Sequence, residues 1–150
     1  MQKKIIVIGL GNFGGNLAIK LTEDGHEVFG VDKSPSKVEL LQRKINHVIG
    51  LDTSEESSIN HMPIDDCDLV VVAIGENVGA SITTTALIKK HFNGRIIARS
   101  LTGVHKTVLE AMQIDEIIEP EAEYANELAN RIMVKGAVKS MELHGDYEIV

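Results

Sequence analysis

The sequence is poor in several residue types, and each shortage excludes a class of protein. It contains a single cysteine, Cys67, so no disulfide can form within the chain and a reducing compartment is expected. No apolar run approaches the roughly 20 residues that a membrane-spanning helix needs. Acidic residues outnumber basic ones, for a net charge of −7, which argues against nucleic acid as a direct partner.

Several catalytic signatures are also missing. The six histidines are scattered, with no H-E-x-x-H motif and no pairing with the cysteine, so no zinc site is indicated. Neither a Walker motif nor a nucleophile elbow is present. The isolated thiol of Cys67 is interpreted as an ordinary side chain at a strand entrance, and the triplet at residues 83–85 as a helix face.

What is present begins with a glycine-rich turn. A β-branched apolar run at residues 5–8 is typical of a strand buried on both faces, and it stops at the G-x-G-x-x-G sequence of residues 9–14. Apolar residues then recur at helical spacing. In this context Gly9 allows the tight turn, Gly11 lets a diphosphate approach the backbone, and Gly14 lets the helix pack closely on the strand.

An acidic residue follows at the spacing expected of a ribose-binding group. Asp32 ends the second predicted strand, 23 residues after Gly9. Its carboxylate can accept hydrogen bonds from both ribose hydroxyls and would repel a 2′-phosphate, which disfavours NADP. Lys33 beside it is either a cofactor contact or a solvated surface charge. These residues together predict a nucleotide site.

The rest of the chain alternates strands with helices. Strands are predicted at residues 5–8, 28–32, 47–51, 69–74, 96–98 and 116–118. Helices are predicted between them, including a short one whose capping box would pair Thr53 with Glu56, and a last one that starts at Pro120. This pattern predicts an α/β fold, a Rossmann-type doubly wound parallel sheet of six strands with helices on both faces. Ligands of such sheets bind at the carboxyl ends of the strands.

The C-terminal tail has a different pattern. Residues 141–144 alternate apolar and polar, Gly145-Asp146 is typical of a hairpin turn, and residues 147–150 begin a return strand. We expect either the start of a truncated C-terminal β subdomain or a small docked hairpin. The predicted division is therefore a nucleotide-binding domain at residues 1–136 and a linker with the start of a second subdomain at residues 137–150.

The order of motifs resembles one family. The segments VIGLGNFGGNLA, VDKSPSKVELL, Asp52-Thr53-Ser54, DLVVVAIGEN and IIEPEAEYANELA fall in sequence over about residues 3–135. Together they are similar to the nucleotide-binding lobe of RCK domains, also called KTN or TrkA-N domains. That family comprises cytosolic regulatory subunits of Trk/Ktr-type potassium uptake systems. The resemblance implies a homodimer that assembles into a ring beneath a membrane-embedded potassium channel subunit.

The resemblance also suggests roles for residues beyond the turn. Asp52 and Thr53 would face the adenine edge, although Thr53 could instead cap a helix. Arg99 is the best candidate for a phosphate contact, because a guanidinium matches phosphate geometry, with an outward ion pair as the alternative. Glu121 matches a position where an acid can hold a divalent cation beside a bound nucleotide, or it only complements the helix dipole. The remaining predicted contacts are Asn12 and Phe13 in the turn, and Ala73, Ile74, Gly75 and Asn77 over the ribose and phosphates.

One position departs from the family pattern. Many relatives that respond to ATP have arginine in the turn, whereas this chain has the short and neutral Asn12. Strong selectivity for a triphosphate is therefore not expected.

Three functions fit these observations. The first is a cytoplasmic regulatory subunit, peripheral on the inner face of the membrane, that gates potassium flux in response to NAD, NADH, ATP, ADP or AMP. The second is an NAD-dependent oxidoreductase, which would need a substrate region and a proton-relay residue that about 135 residues of nucleotide fold leave no room for. The third is a free-standing nucleotide sensor.

Overall fold

The computed structural model describes residues 1–144, with side chains described up to Gly136. The chain divides into two compact units, Met1–Ile118 and a second that begins at Glu119. All six strands belong to the first unit. They are β1 (Lys4–Ile8), β2 (Glu27–Asp32), β3 (His47–Gly50), β4 (Leu69–Val72), β5 (Arg95–Arg99) and β6 (Glu116–Ile118).

The strands form one parallel sheet in the order β3-β2-β1-β4-β5-β6. The order reverses between β1 and β4, which is the topological switch point of a doubly wound sheet. This arrangement confirms the predicted fold class. It also brings the carboxyl ends of β1, β2 and β4 together at one edge.

The helices follow the strands as the sequence pattern predicts. Those of the first unit are α1 (Asn12–Glu23), α2 (Pro35–Leu41), α3 (Val78–His91) and α4 (Gly103–Ala111), and the second unit contains α5 (Pro120–His144). Two short 3₁₀ helices, Glu56–His61 and Ile64–Asp66, connect β3 to β4. None of the helices in the described part of the chain is both long and apolar enough to cross a bilayer.

Two local predictions were wrong. Thr53 and Glu56 do not form a capping box: the 3₁₀ helix begins after Glu55 without a side-chain cap, because both residues have partners on α3, as described below. Residues 141–144 are helical, since α5 continues to His144. The hairpin turn and return strand predicted at residues 145–150 lie outside the described residues.

The sheet is buried on both faces because its central strands are apolar throughout. Ile6, Ile8, Val70 and Val72 face one core cluster, and Ile5, Val7 and Val71 face the other. Both clusters are needed to cover a parallel sheet, and helices on each side supply the remaining apolar groups. The rigid sheet fixes the positions of the loops at its carboxyl edge.

Candidate functional site

A cleft lies at the carboxyl ends of β1 to β4. Seven of the predicted contact residues line it: Gly9, Asp32, Lys33, Asp52, Thr53, Ile74 and Asn77. Seven others that the sequence analysis did not select complete the lining: Ile8, Val31, Leu51, Ser54, Glu76, Ala80 and Thr84. Segments far apart in sequence therefore converge on one concave surface, as the topology of the sheet requires.

The three glycines of the turn meet different surroundings. Gly9 has a φ of +94°, and an added Cβ would come within 2.7 Å of the backbone nitrogen of Ile74. A Cβ on Gly14 would lie 1.8 Å from the carbonyl oxygen of Gly9, so only glycine lets α1 approach β1 this closely. At Gly11 an added Cβ would meet nothing within 4 Å. The backbone beside Gly11, at the start of α1, is therefore open to a ligand.

The carboxylate of Asp32 is buried at the end of β2, where only 6% of the residue is exposed. Its Oδ2 accepts a hydrogen bond from the backbone N–H of Leu10 at 2.8 Å, and its Oδ1 accepts one from the N–H of Ser34, also at 2.8 Å. Each oxygen has a second lone pair available for a further donor. The side chain can thus accept hydrogen bonds from a diol without losing its backbone partners.

A second carboxylate lies across the cleft on the loop after β3. Asp52 Oδ1 accepts hydrogen bonds from the hydroxyl of Ser54 at 2.6 Å and from its backbone N–H at 3.0 Å. These two bonds, with a smaller contribution from the positive charge of Lys33, lower the pKa of Asp52 below its usual value. Asp52 is therefore an anionic acceptor at neutral pH, suited to an amino group on the edge of a base.

The hydroxyls of Thr53 and Thr84 form the polar floor of the cleft. Their Oγ1 atoms lie 3.0 Å apart, and both residues are buried. Thr53 therefore bonds across to α3 instead of capping a local helix. Thr84 belongs to the triplet that we interpreted only as a helix face. The sequence feature that could have identified Thr84 is the run of three consecutive threonines on a helix that must pack against a sheet. Such a run places at least one hydroxyl in the interior.

The N-terminus of α3 also faces the cleft. Asn77 Oδ1 accepts the N–H of Ala80 at 2.9 Å and so caps this helix, while both residues line the cavity. Glu76 lies just before the cap and adds a carboxylate to the lining. Gly75 and Asn77 on either side of it are predicted contacts, whereas Glu76 is not.

Arg99, the last residue of β5, lies near Phe13 of α1 and near Gly75, which follows β4. Its guanidinium carbon lies 5.8 Å from the centre of the Phe13 ring, a cation–π geometry. A Cβ on Gly75 would lie 2.8 Å from one guanidinium nitrogen, so the absence of a side chain there makes room for Arg99. The structure thus places Arg99, Phe13 and Gly75 together, next to the cleft but not in its lining.

Eight of the fifteen predicted site residues are not part of this lining: Gly11, Phe13, Gly14, Gly75 and Arg99, described above, and Asn12, Ala73 and Glu121. Asn12 is exposed at the start of α1, and Ala73 is buried beneath Gly14. Glu121 belongs to the first turn of α5, in the second compact unit. Across the part of the chain with described side chains, no cluster of three or more His, Cys, Asp or Glu is arranged to hold a metal ion.

A buried histidine joins α3 to α4 behind the cleft. His105 is 1% exposed; its Nδ1 accepts the N–H of Leu101 at 3.0 Å, so the neutral ring carries its hydrogen on Nε2, 3.2 Å from Ser81 Oγ. Burial lowers the pKa of His105 below its usual value. Sequence analysis treated this histidine as one of six scattered residues, because nothing in its local pattern marks it as buried.

The sequence is similar to one domain family and to two bacterial proteins. The sequence profile of the TrkA-N domain matches residues 5–120. The Ktr system potassium uptake proteins C and A of Bacillus subtilis (strain 168) are each 33% identical to the chain, over 150 and 149 residues. The alignments cover 100% and 99% of this chain but 68% and 67% of those proteins, so the chain spans about two thirds of their length.

Two solved structures of similar fold contain a bound nucleotide. The Kef C-terminal domain of Shewanella denitrificans in its AMP-bound form superposes with a TM-score of 0.71 at 20% identity, covering 95% of this chain and 82% of that one. The GsuK channel bound to NAD superposes with a TM-score of 0.68 at 13% identity, covering 79% of this chain and 21% of that one. At these identities the likeness establishes the fold.

Proposed function

Because the chain belongs to the TrkA-N domain family, we propose that it is a regulatory module that binds an adenosine nucleotide and thereby gates a potassium uptake system. The observation that carries this proposal is the cleft at the switch point, where a buried carboxylate, Asp32, adjoins a glycine turn whose backbone is open at Gly11. A ribose diol and a phosphate group are the two chemistries that these features recognise.

Different residues would bind the base, the ribose and the phosphates of the ligand. Asp52, the Thr53–Thr84 hydroxyl pair and the apolar side chains of the cleft would hold the base. Asp32 would hold the ribose, and the backbone N–H groups at the start of α1 would hold the phosphates. The AMP-bound and NAD-bound structures of similar fold support the same class of ligand.

Regulation is favoured over hydride transfer by the chemistry of the cleft. Among the described residues, its titratable groups are Asp32, Lys33, Asp52 and Glu76. No histidine, the commonest side chain in proton transfer, belongs to the described lining, and Asp32 already accepts two backbone N–H groups. An oxidoreductase remains the alternative: sustained, substrate-dependent NADH oxidation by the purified protein would replace the regulatory proposal.

The proposed partners are a second copy of this chain and a membrane-embedded potassium channel subunit. The names of the B. subtilis relatives, potassium uptake proteins, support the membrane partner. Helix α5 supports self-association, because Tyr124, Leu128 and Ile132 are exposed at i, i+4 and i+8 along one face. The module would then act on the cytoplasmic side, as a dimer or a ring of dimers beneath the channel.

Two measurements test this function. In a thermal-shift panel, a nucleotide that binds among ATP, ADP, AMP, NAD and NADH should stabilise the protein by about 2.7 kcal/mol at 100 times its dissociation constant. NADP is the comparison, since Asp32 would repel its 2′-phosphate. Potassium uptake at low external potassium should fall in a strain lacking the gene and be restored by the wild-type gene but not by Asp32→Ala. Nucleotide binding without any effect on potassium uptake would favour a free-standing sensor instead.

Discrimination between ATP and ADP should be weak. The helix N-terminus serves the inner phosphates of both ligands equally, so selectivity depends on side chains near the outer phosphate. Asn12 is neutral there, and we expect ATP and ADP affinities to differ by less than about tenfold, or roughly 1.4 kcal/mol. Asn12→Arg should widen the difference in favour of ATP, measured by titration with and without magnesium. A wild-type preference far above tenfold that the arginine does not change would show that selectivity is decided elsewhere.

A further inference from the structure

We propose that Asp32 has a second role: it holds the glycine turn in the shape that accepts phosphates, and so couples ribose recognition to phosphate recognition. The inference rests on the proposed nucleotide-binding function and concerns how the same site is built. Its basis is that the carboxylate already has two backbone partners before any sugar is bound.

The first partner of Asp32 belongs to the turn itself. Leu10 lies between Gly9 and Gly11, and its N–H donates to Asp32 Oδ2 at 2.8 Å. The N–H of Gly9 donates to the carbonyl of Val31, also at 2.8 Å. Two consecutive amides of the turn are therefore bonded to the last two residues of β2, and the side chain of Asp32 supplies one of the two acceptors.

The hydrogen bond from Leu10 is costly to lose, because it is buried. Leu10 is 3% exposed and its side chain packs over Gly30 of β2, so water cannot readily replace the carboxylate as the acceptor. A buried N–H without an acceptor destabilises the conformation that contains it. Removing the carboxylate therefore favours other conformations of the turn, in which the amides near Gly11 no longer converge on a phosphate.

This arrangement is compatible with a bound ribose. Each carboxylate oxygen accepts one amide and can accept one more donor, so the diol adds to the existing bonds without displacing them. The ribose and the turn then share one anionic acceptor. A ligand without ribose hydroxyls should still depend on Asp32, through the turn alone.

A ligand that lacks the diol separates the two roles. ADP and 2′,3′-dideoxy-ADP are titrated calorimetrically into the wild type and into Asp32→Ala, well below the melting temperature of each. If Asp32 only binds the diol, the substitution leaves the affinity for dideoxy-ADP unchanged. We expect the substitution to lower the affinity for dideoxy-ADP by about tenfold, the scale of one hydrogen bond to a charged acceptor, and to lower the affinity for ADP by more.

Hydrogen exchange reports on the turn directly, without a ligand. Asp32→Ala should increase the exchange rate of the Leu10 amide relative to the amides of β1. Asp52→Ala is the matched control, since its carboxylate bonds to Ser54 and not to the turn, and it should leave Leu10 exchange as in the wild type. Should Asp32→Ala fold poorly, Asp32→Asn keeps the volume and one acceptor oxygen, and it should weaken dideoxy-ADP severalfold.

The outcomes are distinct. A wild type that binds ADP, together with Asp32 variants that keep full affinity for dideoxy-ADP, overturns this inference and leaves the proposed function intact. A wild type that binds no adenosine nucleotide overturns the proposed function, and the coupling with it. Unchanged Leu10 exchange in Asp32→Ala contradicts the role of the carboxylate in holding the turn, whatever the affinities.

Discussion

Single residues set both the shape and the openness of the proposed site. Gly14 is required by packing, because any side chain would overlap the carbonyl of Gly9. Gly11 is not required by packing, since its φ of −73° and ψ of −160° suit any residue and its Cβ would point into open space. The proposed ligand, which would approach the backbone here, accounts for a glycine that packing does not require. Stability and binding are therefore separable at two positions of the same turn.

His105 makes stability depend on pH. The unfolded chain binds a proton on this residue near pH 6.5, whereas burial lowers the pKa in the folded state. Between the two values the unfolded state holds more protons, so stability is lost as pH falls below about 6.5. Urea unfolding at pH 7.5 and 5.5 should show a smaller loss on acidification in His105→Gln than in the wild type.

Ser81→Ala is the control for this effect. It removes the partner of Nε2 but leaves His105 buried and titratable. It should lower stability at both pH values and keep the wild-type dependence on pH. Identical pH dependence in the wild type and His105→Gln would show that this histidine contributes nothing to acid sensitivity.

At the scale of elements, helix α4 ends on an unfavourable backbone conformation. Gln113 has a φ of 60° and is the only non-glycine residue with positive φ in the described chain. The backbone of Gln113 makes two hydrogen bonds: its N–H donates to the carbonyl of Glu110, and its own carbonyl accepts a hydrogen bond from Lys89 Nζ at 2.7 Å. The side chain can be removed without losing either bond.

Gln113→Gly should therefore stabilise the protein by about 1 kcal/mol, the order of the left-handed penalty for a residue with a Cβ. The measurement is the urea midpoint at constant slope. Gln42→Gly is the matched control at the end of α2, where φ is −53°. At that position glycine only adds the backbone conformational entropy that is lost on folding, and the substitution should destabilise the protein by roughly 0.5–1 kcal/mol. Equal effects of the two substitutions would contradict the backbone explanation.

The elements that could be predicted from sequence are those determined by local pattern. β-branched runs located the six strands, and β6 begins and ends at the predicted residues. The capping box could not be judged locally, because Thr53 bonds to Thr84 and Glu56 to Lys90 and His91, more than 30 residues away. Residues 141–144 have an alternating pattern too short to outweigh the preceding helix.

At the scale of the whole molecule, the location of the site follows from topology. Asp32 ends β2, whereas Asp52 and Gly75 follow β3 and β4, and the parallel order brings these strand ends to one edge. That much could be predicted from the alternation of elements. The contributions of Ala80, Thr84 and Glu76 could not, because they depend on how α3 packs across the sheet.

Self-association should depend on the exposed face of α5. A chain extending past Val150 should be a dimer at high micromolar concentration, because the apolar residues beside Ala122, Ala125 and Ala129 offer a surface for close packing. Ile132→Asp should yield a monomer by light scattering. Leu40→Asp on α2 is the control, since Leu40 is even more exposed than Ile132 but lies on another helix, and it should leave the dimer intact. A monomeric wild type under these conditions would count against the homodimer.

The most direct test of the account is a calorimetric titration of adenosine nucleotides into the wild type and Gly11→Ala. We expect the wild type to bind at least one of ATP, ADP, AMP and NAD. Gly11→Ala should bind it at least about tenfold more weakly, or roughly 1.4 kcal/mol, because the new methyl group occupies the space left for phosphate. Its melting temperature without nucleotide should equal or slightly exceed that of the wild type, since the methyl group meets nothing within 4 Å beyond the neighbouring residues and alanine restricts the unfolded chain more than glycine does. Unchanged affinity in Gly11→Ala, or a wild type that binds none of these nucleotides, would contradict the proposed site.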